Sequence, residues 1–343
     1  MNTKIVATVG PKTESEKDLL ALIDAGVDMV RVNFSHASYE QYKRIKKIID
    51  SRNRKHKDRK VSLMLDLQGP RIRVGKMPEN GIMLHVDEIH KFSYSKLPYK
   101  DGGIIPIDNA DLYKYIQKGE SLFLCNGAIE LTVLEVKNKV ITAEVIIGGV
   151  LSSNKGINVP HTNIKKGGMT AKDLEDVKFG LKEGMDYIAL SFVQTEDDVN
   201  RLRKMLGKDS KVKIISKIER GIALKNIDTI ITASDVIMVA RGDLGIEVPI
   251  EDLPIIQKNI IRHAHWHNKP AILATQVMTS MIKNPHPTRA EISDIANGVF
   301  DRADMIMLSD ETTVGDHCVA AVKTLKKVIV RTEEYLQKTY IAD

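Results

Sequence analysis

Two neighbouring apolar segments end in charged side chains that could bind a metal ion and a phosphate. The segment VKIISKIE places Lys217 and Glu219 where a buried strand would stop, and DVIMVARGDLGIE places Asp243 between two glycines. Mg²⁺ prefers hard oxygen ligands and keeps open positions for phosphate, so two carboxylates one strand apart can share it. A lysine beside them can neutralise charge on a transferring group. Taken alone, Glu219 and Asp243 could equally be two solvated loop acids.

Further polar side chains stand where other apolar segments end. They are Arg31, Asn33, Ser35 and His36 after the second segment, Asp66, Gln68, Arg71 and Arg73 after the third, Ser191 after the fourth, Arg241 and Gly242 after the sixth, Thr275 after the seventh, and Ser309 and Glu311 after the eighth. Polar loops that merely close a barrel would carry scattered Ser, Asn and Lys. Several cations opposite three acids are instead typical of phosphoryl transfer, which depends on positioning and charge neutralisation.

The elements that must position these residues alternate regularly along the chain. Short apolar runs lie at 4–9, 29–33, 61–66, 187–192, 212–218, 236–240, 271–275 and 305–308. Amphipathic segments lie at 14–25, 38–51, 171–183, 196–206, 221–226, 253–267, 289–300 and 316–337. Continuous hydrophobicity indicates strands buried on both faces, and eight βα units predict an α/β fold, the (β/α)8 TIM barrel, with its site at the carboxyl ends of the strands.

One connection is too long to be a loop. After the third strand the chain continues through Gly and Asn turns and short alternating strands such as SLFLCNGAIELTVLEV. A structureless loop of that length is improbable, so residues 72–159 are predicted to form a small inserted β-barrel domain that acts as a lid. Residues 1–71 and 160–343 then make up the catalytic barrel.

Composition narrows the class of protein. The 343 residues are 43% hydrophobic and 28% charged, as in ordinary globular proteins, and the net charge of +6 suits polyanionic substrates as well as nucleic acid. The basic run at 52–60 has no interleaved aromatics and is interpreted as a solvated helix end, so no nucleic-acid partner is predicted. Two distant cysteines, no signal peptide and no long apolar run predict a cytoplasmic protein without a membrane partner.

Three histidines in one helix could suggest a metal cluster. His263, His265 and His267 lie two residues apart, and such neighbours point about 200° apart on a helix. Only His263 and His267 share a face. Packing or surface roles are therefore favoured for all three.

The motifs taken together resemble the pyruvate kinase family. They are TKIVATVGP, VRVNFSH, LDLQGPRIR, SKIE, MVARGDLGIE, ATQ, NPHPTRAEISDIANGVFDRAD and MLSDET, in the family's order and over almost the whole chain. The resemblance implies a barrel with an inserted β-domain. It also implies Mg²⁺-dependent transfer of phosphate from phosphoenolpyruvate to ADP, giving pyruvate and ATP in glycolysis, with Mn²⁺ as an alternative metal.

The resemblance also implies roles for individual residues. Lys217 would stabilise the transferring phosphoryl group and the enolate, and Glu219 and Asp243 would hold Mg²⁺. The amides of Gly242 and Asp243 would hold the substrate carboxylate together with Thr275. The other implied groups are Arg31 for the substrate phosphate, Asn33, Phe34, Ser35, His36, Arg73 and Lys172 for the nucleotide, and Ser309 with Glu311 for proton delivery to the enolate carbon.

One departure from the family concerns K⁺. Most members bind K⁺ near the equivalents of Asn33, Ser35, Asp66 and Leu67, with a glutamate where this chain has Arg71. Leu67, Gln68 and Val74 resemble the potassium-independent branch, which usually has lysine at the Arg71 position. Arg71 is therefore predicted to replace the cation, so that K⁺ is not required. The alternative is that Arg71 pairs with a nearby acid.

Other departures concern regulation. The sequence ends at Asp343, shortly after the eighth barrel helix, whereas most members continue into a C-terminal domain with an effector site. We therefore expect no allostery of that kind and, at most, a homo-oligomer assembled through the barrel face. Cys125–Asn126 stands where the lid usually has two aspartates, and Asp310 stands where glycine is usual.

Two other functions stay open. A degenerate homologue could bind phosphoenolpyruvate or nucleotide without turnover and serve as a sensor or partner subunit. Retention of Lys217, Glu219, Asp243, Arg31 and Thr275 together argues against it. A different barrel enzyme acting on phosphoenolpyruvate or pyruvate is the other option, and the nucleotide segment at 33–36 argues against that one.

Overall fold

The chain forms a barrel of parallel strands that is interrupted once by a β-rich lid. In the computed structural model, which describes residues 2–160, 162 and 168–340, the barrel begins with β1 (Lys4–Thr8), β2 (Met29–Asn33) and β3 (Ser62–Asp66). The next strands are β4 (Ile72–Arg73), β5 (Ile82–Leu84), β6 (Ile89–Tyr94), β7 (Ile105–Ile107), β8 (Ser121–Leu124), β9 (Ile129–Lys137), β10 (Val140–Ile147), β11 (Gly149–Leu151) and β12 (Gly156–Asn158). The barrel resumes with β13 (Tyr187–Leu190), β14 (Lys213–Ile218), β15 (Val236–Ala240), β16 (Ala271–Ala274) and β17 (Met305–Leu308).

The barrel strands close in the order β1–β17–β16–β15–β14–β13–β3–β2, and every pairing is parallel. This arrangement confirms the predicted (β/α)8 barrel. The register is functionally informative because Asn33 lies beside Asp66 and Lys217 lies beside Met238. Side chains at the carboxyl ends of neighbouring strands are thereby brought to one face.

Helices surround the barrel and follow its strands. They are α1 (Glu16–Ala25), α2 (Tyr39–Lys55), α3 (Ala171–Glu183), α4 (Glu196–Leu206), α5 (Gly221–Lys225), α6 (Ile227–Ala233), α7 (Arg241–Glu247), α8 (Leu253–Trp266), α9 (Arg289–Phe300), α10 (Asp310–Thr313) and α11 (Cys318–Tyr340). Their starts follow local sequence chemistry, since Thr170 and Asp173 form a capping box at α3 and Thr288 and Glu291 form one at α9.

Some helix boundaries differ from the sequence prediction. Helix α2 continues to Lys55 and ends within the basic run, which is mostly exposed as predicted, whereas Arg52 at its start is buried. Helices α6, α7 and α10 were not predicted as separate elements. Each has seven residues or fewer, which is too short to show a clear helical period in sequence.

The lid has its own sheet and its own core. Its main sheet runs β4–β12–β8–β9–β10–β6–β7, and a bridge between Val74 and Ile107 brings its two ends together. Phe92, Leu122 and Val145 are fully buried inside it. This nearly closed sheet confirms the inserted β-domain of the predicted fold, while the exact bounds of 72–159 stay a prediction.

The lid is joined to the barrel by a paired neck. Strand β4 leads into the lid and β12 leads out, and the two are antiparallel neighbours, with Gly156 opposite Arg73. Below the neck, buried Arg220 lies 2.9 Å from the carboxylate of Glu247 and donates to the carbonyl of Thr162 at 3.0 Å. The returning chain is therefore tied to the loop that follows β14.

Candidate active site

Three of the five predicted catalytic residues, Arg31, Lys217 and Thr275, line one cavity at the carboxyl ends of the barrel strands, whereas Ser309 and Glu311 do not. The cavity has a volume of about 110 Å³ and lies beneath the lid. Its lining includes Arg31, Asn33, Ser35, Leu67, Gln68, Arg71, Ser191, Lys217, Glu219, Asp243 and Thr275. These residues come from the ends of β2, β3, β13, β14, β15 and β16, so the barrel topology alone brings them together.

Lys217 is the centre of a buried ionic cluster. Its Nζ lies 2.9 Å from Glu219 Oε1 and 3.4 Å from Asp66 Oδ1, and it donates to Ser191 Oγ at 2.9 Å. Burial alone would lower the pKa of the Lys217 ammonium, but the two carboxylates outweigh this effect and raise the pKa above its usual value. Lys217 therefore carries a permanent positive charge into the cavity.

Asp66 is held between two cations at the base of the cluster. Arg31 Nε lies 2.6 Å from Asp66 Oδ2, and Arg31 also donates to Thr8 Oγ1 at 3.0 Å. Burial would raise the pKa of Asp66, but Lys217 and Arg31 hold it below the usual range. An ionised Asp66 fixes the direction of both cationic side chains, since an unpaired buried carboxylate would be strongly destabilising.

Glu219 and Asp243 are the two acids that could hold a divalent cation. Glu219 is buried, and its Oε2 accepts the amide N–H of Phe192 at 2.7 Å. Burial raises the pKa of Glu219, and the nearby negative charge of Asp243 raises it further. Two carboxylates that repel each other in a largely buried cavity suit a hard cation, so the donor set fits Mg²⁺.

Arg71 lies against Asp243. Its Nη2 is 3.2 Å from Asp243 Oδ1 and donates to Asn126 Oδ1 in the lid at 2.9 Å. Asp66, next to the predicted monovalent-cation position, is paired with Arg31 and Lys217. The contact made by Arg71 is thus the alternative that the sequence left open, a pairing with a nearby acid.

The loop after β16 has a strained backbone at the edge of the cavity. Thr275 and Gln276 have φ angles of 69° and 54°, in the left-handed region that residues other than glycine rarely adopt. Buried Arg241 stabilises this conformation by donating to the carbonyl of Thr275 at 2.8 Å, while its other end pairs with Asp294 at 2.8 Å. Thr275 Oγ1 in turn accepts the amide N–H of Gly242 at 2.7 Å.

Ser309 and Glu311 lie at the end of β17 and differ in the exposure and the hydrogen bonding of their side chains. Glu311 is 2% exposed, and its two oxygens accept the amide N–H groups of Met278 and Ser309 at 2.9 and 2.7 Å. Both oxygens are thus occupied by backbone donors. Ser309 is partly exposed and lines a second cavity.

The second cavity adjoins the first and is larger, about 580 Å³. Predicted nucleotide residues Asn33 and His36 line it, together with Arg31 and Asp310. Sequence reasoning did not assign Pro11, Glu14, Gln41 and Arg44, which also line it. The only signal in the sequence was the Gly-Pro turn directly after β1.

Three predicted nucleotide residues lie elsewhere among the described part of the chain. The Phe34 side chain is buried, and its carbonyl accepts a hydrogen bond from Lys172 Nζ at 2.9 Å. Lys172 also pairs with Asp176 at 2.5 Å. Arg73 is in the neck, where it donates to the carbonyl of Asn154 at 3.0 Å. None of these three residues lines either of the two cavities.

The remaining sequence predictions concern histidines, cysteines and membrane spans. His263 Nδ1 and His267 Nε2 both contact Asp228 Oδ1, at 2.8 and 3.3 Å, which confirms that they share a face. Within residues 2–160, 162 and 168–340, no group of three or more His, Cys, Asp or Glu side chains could hold a metal ion. Cys125 and Cys318 are free thiols, and none of the helices described here could span a bilayer.

Comparison with known proteins agrees with the geometry. The family model described as "Pyruvate kinase, barrel domain" matches residues 1–322. A pyruvate kinase of Thermotoga maritima is 40% identical over 98% of this chain and 72% of its own length. Those of Geobacillus stearothermophilus and Thermococcus litoralis are 41% and 39% identical over 98% and 97% of this chain, and the matches cover 57% and 70% of their lengths.

Proposed function

The chain belongs to the pyruvate kinase family, and we propose that it transfers the phosphoryl group of phosphoenolpyruvate to ADP, giving pyruvate and ATP. The observation that carries this proposal is the Lys217 cluster. A charged lysine lies between Asp66 and Glu219 and opens into a cavity that Arg31, Asp243 and Thr275 also line. Phosphoryl transfer requires such a concentration of fixed charge around the departing group.

Glu219 and Asp243 are the proposed metal ligands. Both offer carboxylate oxygens to the same cavity, and Mg²⁺ or Mn²⁺ bound there would neutralise phosphate oxygens and hold the substrate in register. The amide N–H of Phe192 fixes the orientation of Glu219. Phe192 itself has a left-handed φ of 55°, so the end of β13 is shaped to point this amide at the carboxylate.

Lys217 and Arg31 are the proposed phosphate-binding cations. Because Asp66 contacts both, they approach the cavity from two sides of one carboxylate. Arg31 would bind the phosphate before and after transfer. Lys217 would face the bridging oxygen and stabilise the enolate that remains when the phosphoryl group leaves.

Gly242, Asp243 and Thr275 are proposed to bind the substrate carboxylate. The Gly242 amide already points toward the Thr275 hydroxyl, at 2.7 Å from it. A carboxylate oxygen placed here would accept hydrogen bonds from the backbone and from the hydroxyl proton. The left-handed backbone of Thr275, held by Arg241, is what presents that hydroxyl to the cavity.

Proton delivery to the enolate carbon is assigned to the end of β17. The proton must arrive after the phosphoryl group has left, because the enolate carbon becomes basic only then. Ser309 has the freer side chain, whereas Glu311 accepts the Ser309 amide and fixes where Ser309 lies. We therefore propose Ser309 as the group that relays the proton and Glu311 as its positioning residue.

The 580 Å³ cavity is the proposed nucleotide site. It adjoins the phosphate-binding residues through Arg31 and Asn33, which line both cavities. Ser35 and His36 follow directly on the same loop. Arg44 offers a further positive charge, whereas Asp310 offers a negative one that would disfavour phosphate at that edge.

Independence from K⁺ is also proposed, with Arg71 as the replacing cation. Arg71 lines the same cavity as Asn33, Ser35 and Leu67, so its charge contributes there although its contact is with Asp243. Replacing Arg71 with glutamate should make turnover depend on K⁺. If the Arg71→Glu enzyme is equally active in sodium and potassium buffers, Arg71 does not replace the cation.

The test of the reaction is pyruvate formation from phosphoenolpyruvate and ADP with Mg²⁺, first in sodium buffer and then with K⁺ added. We expect turnover that requires Mg²⁺ and Lys217 and ignores K⁺. Binding of both ligands without turnover would instead support a non-catalytic homologue that acts as a sensor. A cytoplasmic location and assembly through the barrel face stay predictions.

A further inference from the structure

Two cavities and a groove adjoin one another at this side of the barrel. The 110 Å³ cavity and the 580 Å³ cavity share Arg31 and Asn33. The 580 Å³ cavity in turn shares Pro11, Glu14 and Arg44 with a groove of about 570 Å³ between the start of α1 and α2. No described residue lines both the groove and the 110 Å³ cavity. The groove therefore marks the end of the 580 Å³ cavity that faces away from the phosphate-binding cations.

This order sets the direction in which a nucleotide would lie. Under the proposed function, the diphosphate of ADP binds next to Arg31 and Asn33, because its phosphoryl acceptor must reach the adjoining cavity. The base of the same nucleotide then lies at the opposite end, beside Glu14, Gln41 and Arg44. These three side chains are polar, so they can distinguish one base from another by hydrogen bonding.

Glu14 holds the amide of Gln41 in one orientation. Gln41 Nε2 donates to Glu14 Oε2 at 2.8 Å, and Arg44 Nη2 donates to the same oxygen at 3.3 Å. A carboxylate accepts hydrogen bonds and cannot donate them, so only the NH₂ group of the Gln41 amide can face Glu14. A glutamine amide without such a partner can exchange its oxygen and nitrogen by turning over, and Glu14 removes this freedom.

The group that Gln41 has left for a ligand is its carbonyl oxygen. Ser38 fixes the backbone of Gln41 by accepting its amide N–H at 3.1 Å, and no described residue donates a hydrogen bond to Gln41 Oε1. Purine bases differ in what they offer to such an acceptor. Adenine carries an amine donor at its 6-position, whereas guanine and hypoxanthine carry an oxygen acceptor there, which would repel the carbonyl of Gln41.

We propose that Gln41, oriented by Glu14, selects the base of the acceptor nucleotide by accepting a hydrogen bond from the 6-amino group of adenine. This inference rests on the proposed function, which places the nucleotide in the 580 Å³ cavity. Gln41 is half-buried and the Glu14 side chain is 36% exposed, so water competes for the contact. A 6-oxopurine could also shift to offer its N1–H instead. The preference for adenine is therefore moderate, about threefold to tenfold.

The first experiment compares ADP with IDP, which has the same ribose and diphosphate but an oxygen in place of the 6-amino group. The measured quantity is the ratio of the two kcat/KM values for pyruvate formation, at saturating phosphoenolpyruvate and Mg²⁺. The wild-type protein should favour ADP by about threefold to tenfold. Both substrates are tested on one preparation, so incomplete folding does not change the ratio. A wild-type ratio within about twofold of one would overturn the proposal.

Two substitutions of Gln41 test the contact itself. Gln41→Met keeps the length of the side chain but removes the amide, so the ratio should fall to within about twofold of one. Gln41→Lys places an ammonium between Glu14 and the base, and an ammonium can only donate. The preference should then reverse, with IDP favoured by about twofold to fivefold. The wild-type ratio in either variant would show that Gln41 does not contact the base.

Glu14→Gln tests the orienting carboxylate. The new amide can face Gln41 with its oxygen or its nitrogen, so Gln41 can turn over and the ratio should fall to within about twofold of one. Glu16→Gln is the matched control, because it makes the same change of charge in a residue that lines the groove and not the 580 Å³ cavity. This control should keep the wild-type ratio. Equal losses in the two variants would overturn the role of Glu14.

Direct binding separates this inference from the proposed reaction. Calorimetric titration with ADP and IDP in the presence of Mg²⁺ measures the same preference without turnover. If pyruvate forms equally well from ADP and IDP, the role of Gln41 is wrong and the proposed reaction stands. If no pyruvate forms, but ADP binds more tightly than IDP and Gln41→Lys reverses this order, the reaction fails and the base selection stands. Binding of neither nucleotide would overturn both.

Discussion

Glu219 and Glu311 are buried glutamates at the same barrel mouth, on strands separated by β15 and β16, and each is 2% exposed. Glu219 follows β14, and Glu311 follows β17. One oxygen of Glu219 accepts a backbone N–H and the other contacts the Lys217 ammonium. Both oxygens of Glu311 accept backbone N–H groups.

We propose that this difference separates a carboxylate that takes part in the reaction from a structural one. An amide donor fixed in the backbone cannot leave without moving the chain, so Glu311 is committed to connecting the loops after β16 and β17. The contact of Glu219 with Lys217 is between two side chains, so a metal ion or a substrate phosphate can replace it without any movement of the backbone. The type of donor, rather than burial or charge, therefore indicates which glutamate can take part in the reaction.

The largest effect on kcat should come from removing the Lys217 ammonium, which contacts Glu219. Lys217→Met should lower kcat by about a thousandfold or more, because Arg31, which is paired with Asp66, cannot take the place of the ammonium at the bridging oxygen. The measurement is the steady-state rate of pyruvate formation. Lys213→Met is the matched control, since Lys213 lies on the same strand at the exposed end away from the cavity, and its rate should stay near that of the wild type. A Lys217→Met rate within tenfold of the wild type would contradict this role.

Glu219→Gln should have the next largest effect on kcat. It keeps the shape and the contact with the Phe192 amide but removes a metal-binding charge, so kcat should fall by about a hundredfold and Mn²⁺ affinity should fall with it. Rate measurements at saturating Mg²⁺ and Mn²⁺ titrations check the two parts. Unchanged Mn²⁺ affinity would mean that Glu219 is not a ligand.

Ser309→Ala tests the proposed proton relay at the end of β17. We expect a loss of about tenfold in kcat, smaller than for Lys217 because a water molecule can occupy the place of the hydroxyl and relay the proton. Exchange of solvent deuterium into pyruvate separates proton delivery from phosphoryl transfer. An unaltered exchange rate alongside a lowered kcat would rule Ser309 out as the relay.

Glu311→Gln should have the smallest effect on rate and a clear effect on stability. The amide can accept only one of the two backbone N–H groups, so the free energy of unfolding should fall by about 1–3 kcal/mol while kcat changes less than tenfold. Urea denaturation measures the first quantity and steady-state kinetics the second. The comparison with Glu219 would break down if Glu311→Gln were as inactive as Glu219→Gln and fully stable.

The barrel was largely predictable because its physical signals are local. A strand buried on both faces must be continuously apolar, and the eight such runs fix both the number of strands and the ends at which polar residues collect. Strand β13 ends at Leu190 rather than at 192, since the backbone at Phe192 turns into the left-handed region. No residue type in that segment predicts the left-handed backbone at Phe192.

The pairings across the site were harder to predict because they join distant parts of the chain. The sequence suggested a cation role for Arg71 but not its contact with Asp243, which depends on where the neck leaves the barrel. The use of both Glu311 oxygens by backbone amides is equally invisible in sequence, because any residue except proline can supply the amide. The chemistry of the side chains could therefore be predicted from the sequence, whereas the partners that each side chain contacts could not.

The paired neck also bears on how the chain folds. Barrel closure requires β3 to meet β13, which are separated in sequence by the whole lid. Because β4 and β12 lie side by side, a lid that folds first would bring Ile72 and Ile157 together. The effective loop between the two barrel strands would then be much shorter, and the entropy lost on closing it would be smaller. Autonomous folding of the lid would thus lower the effective contact order at which the barrel closes.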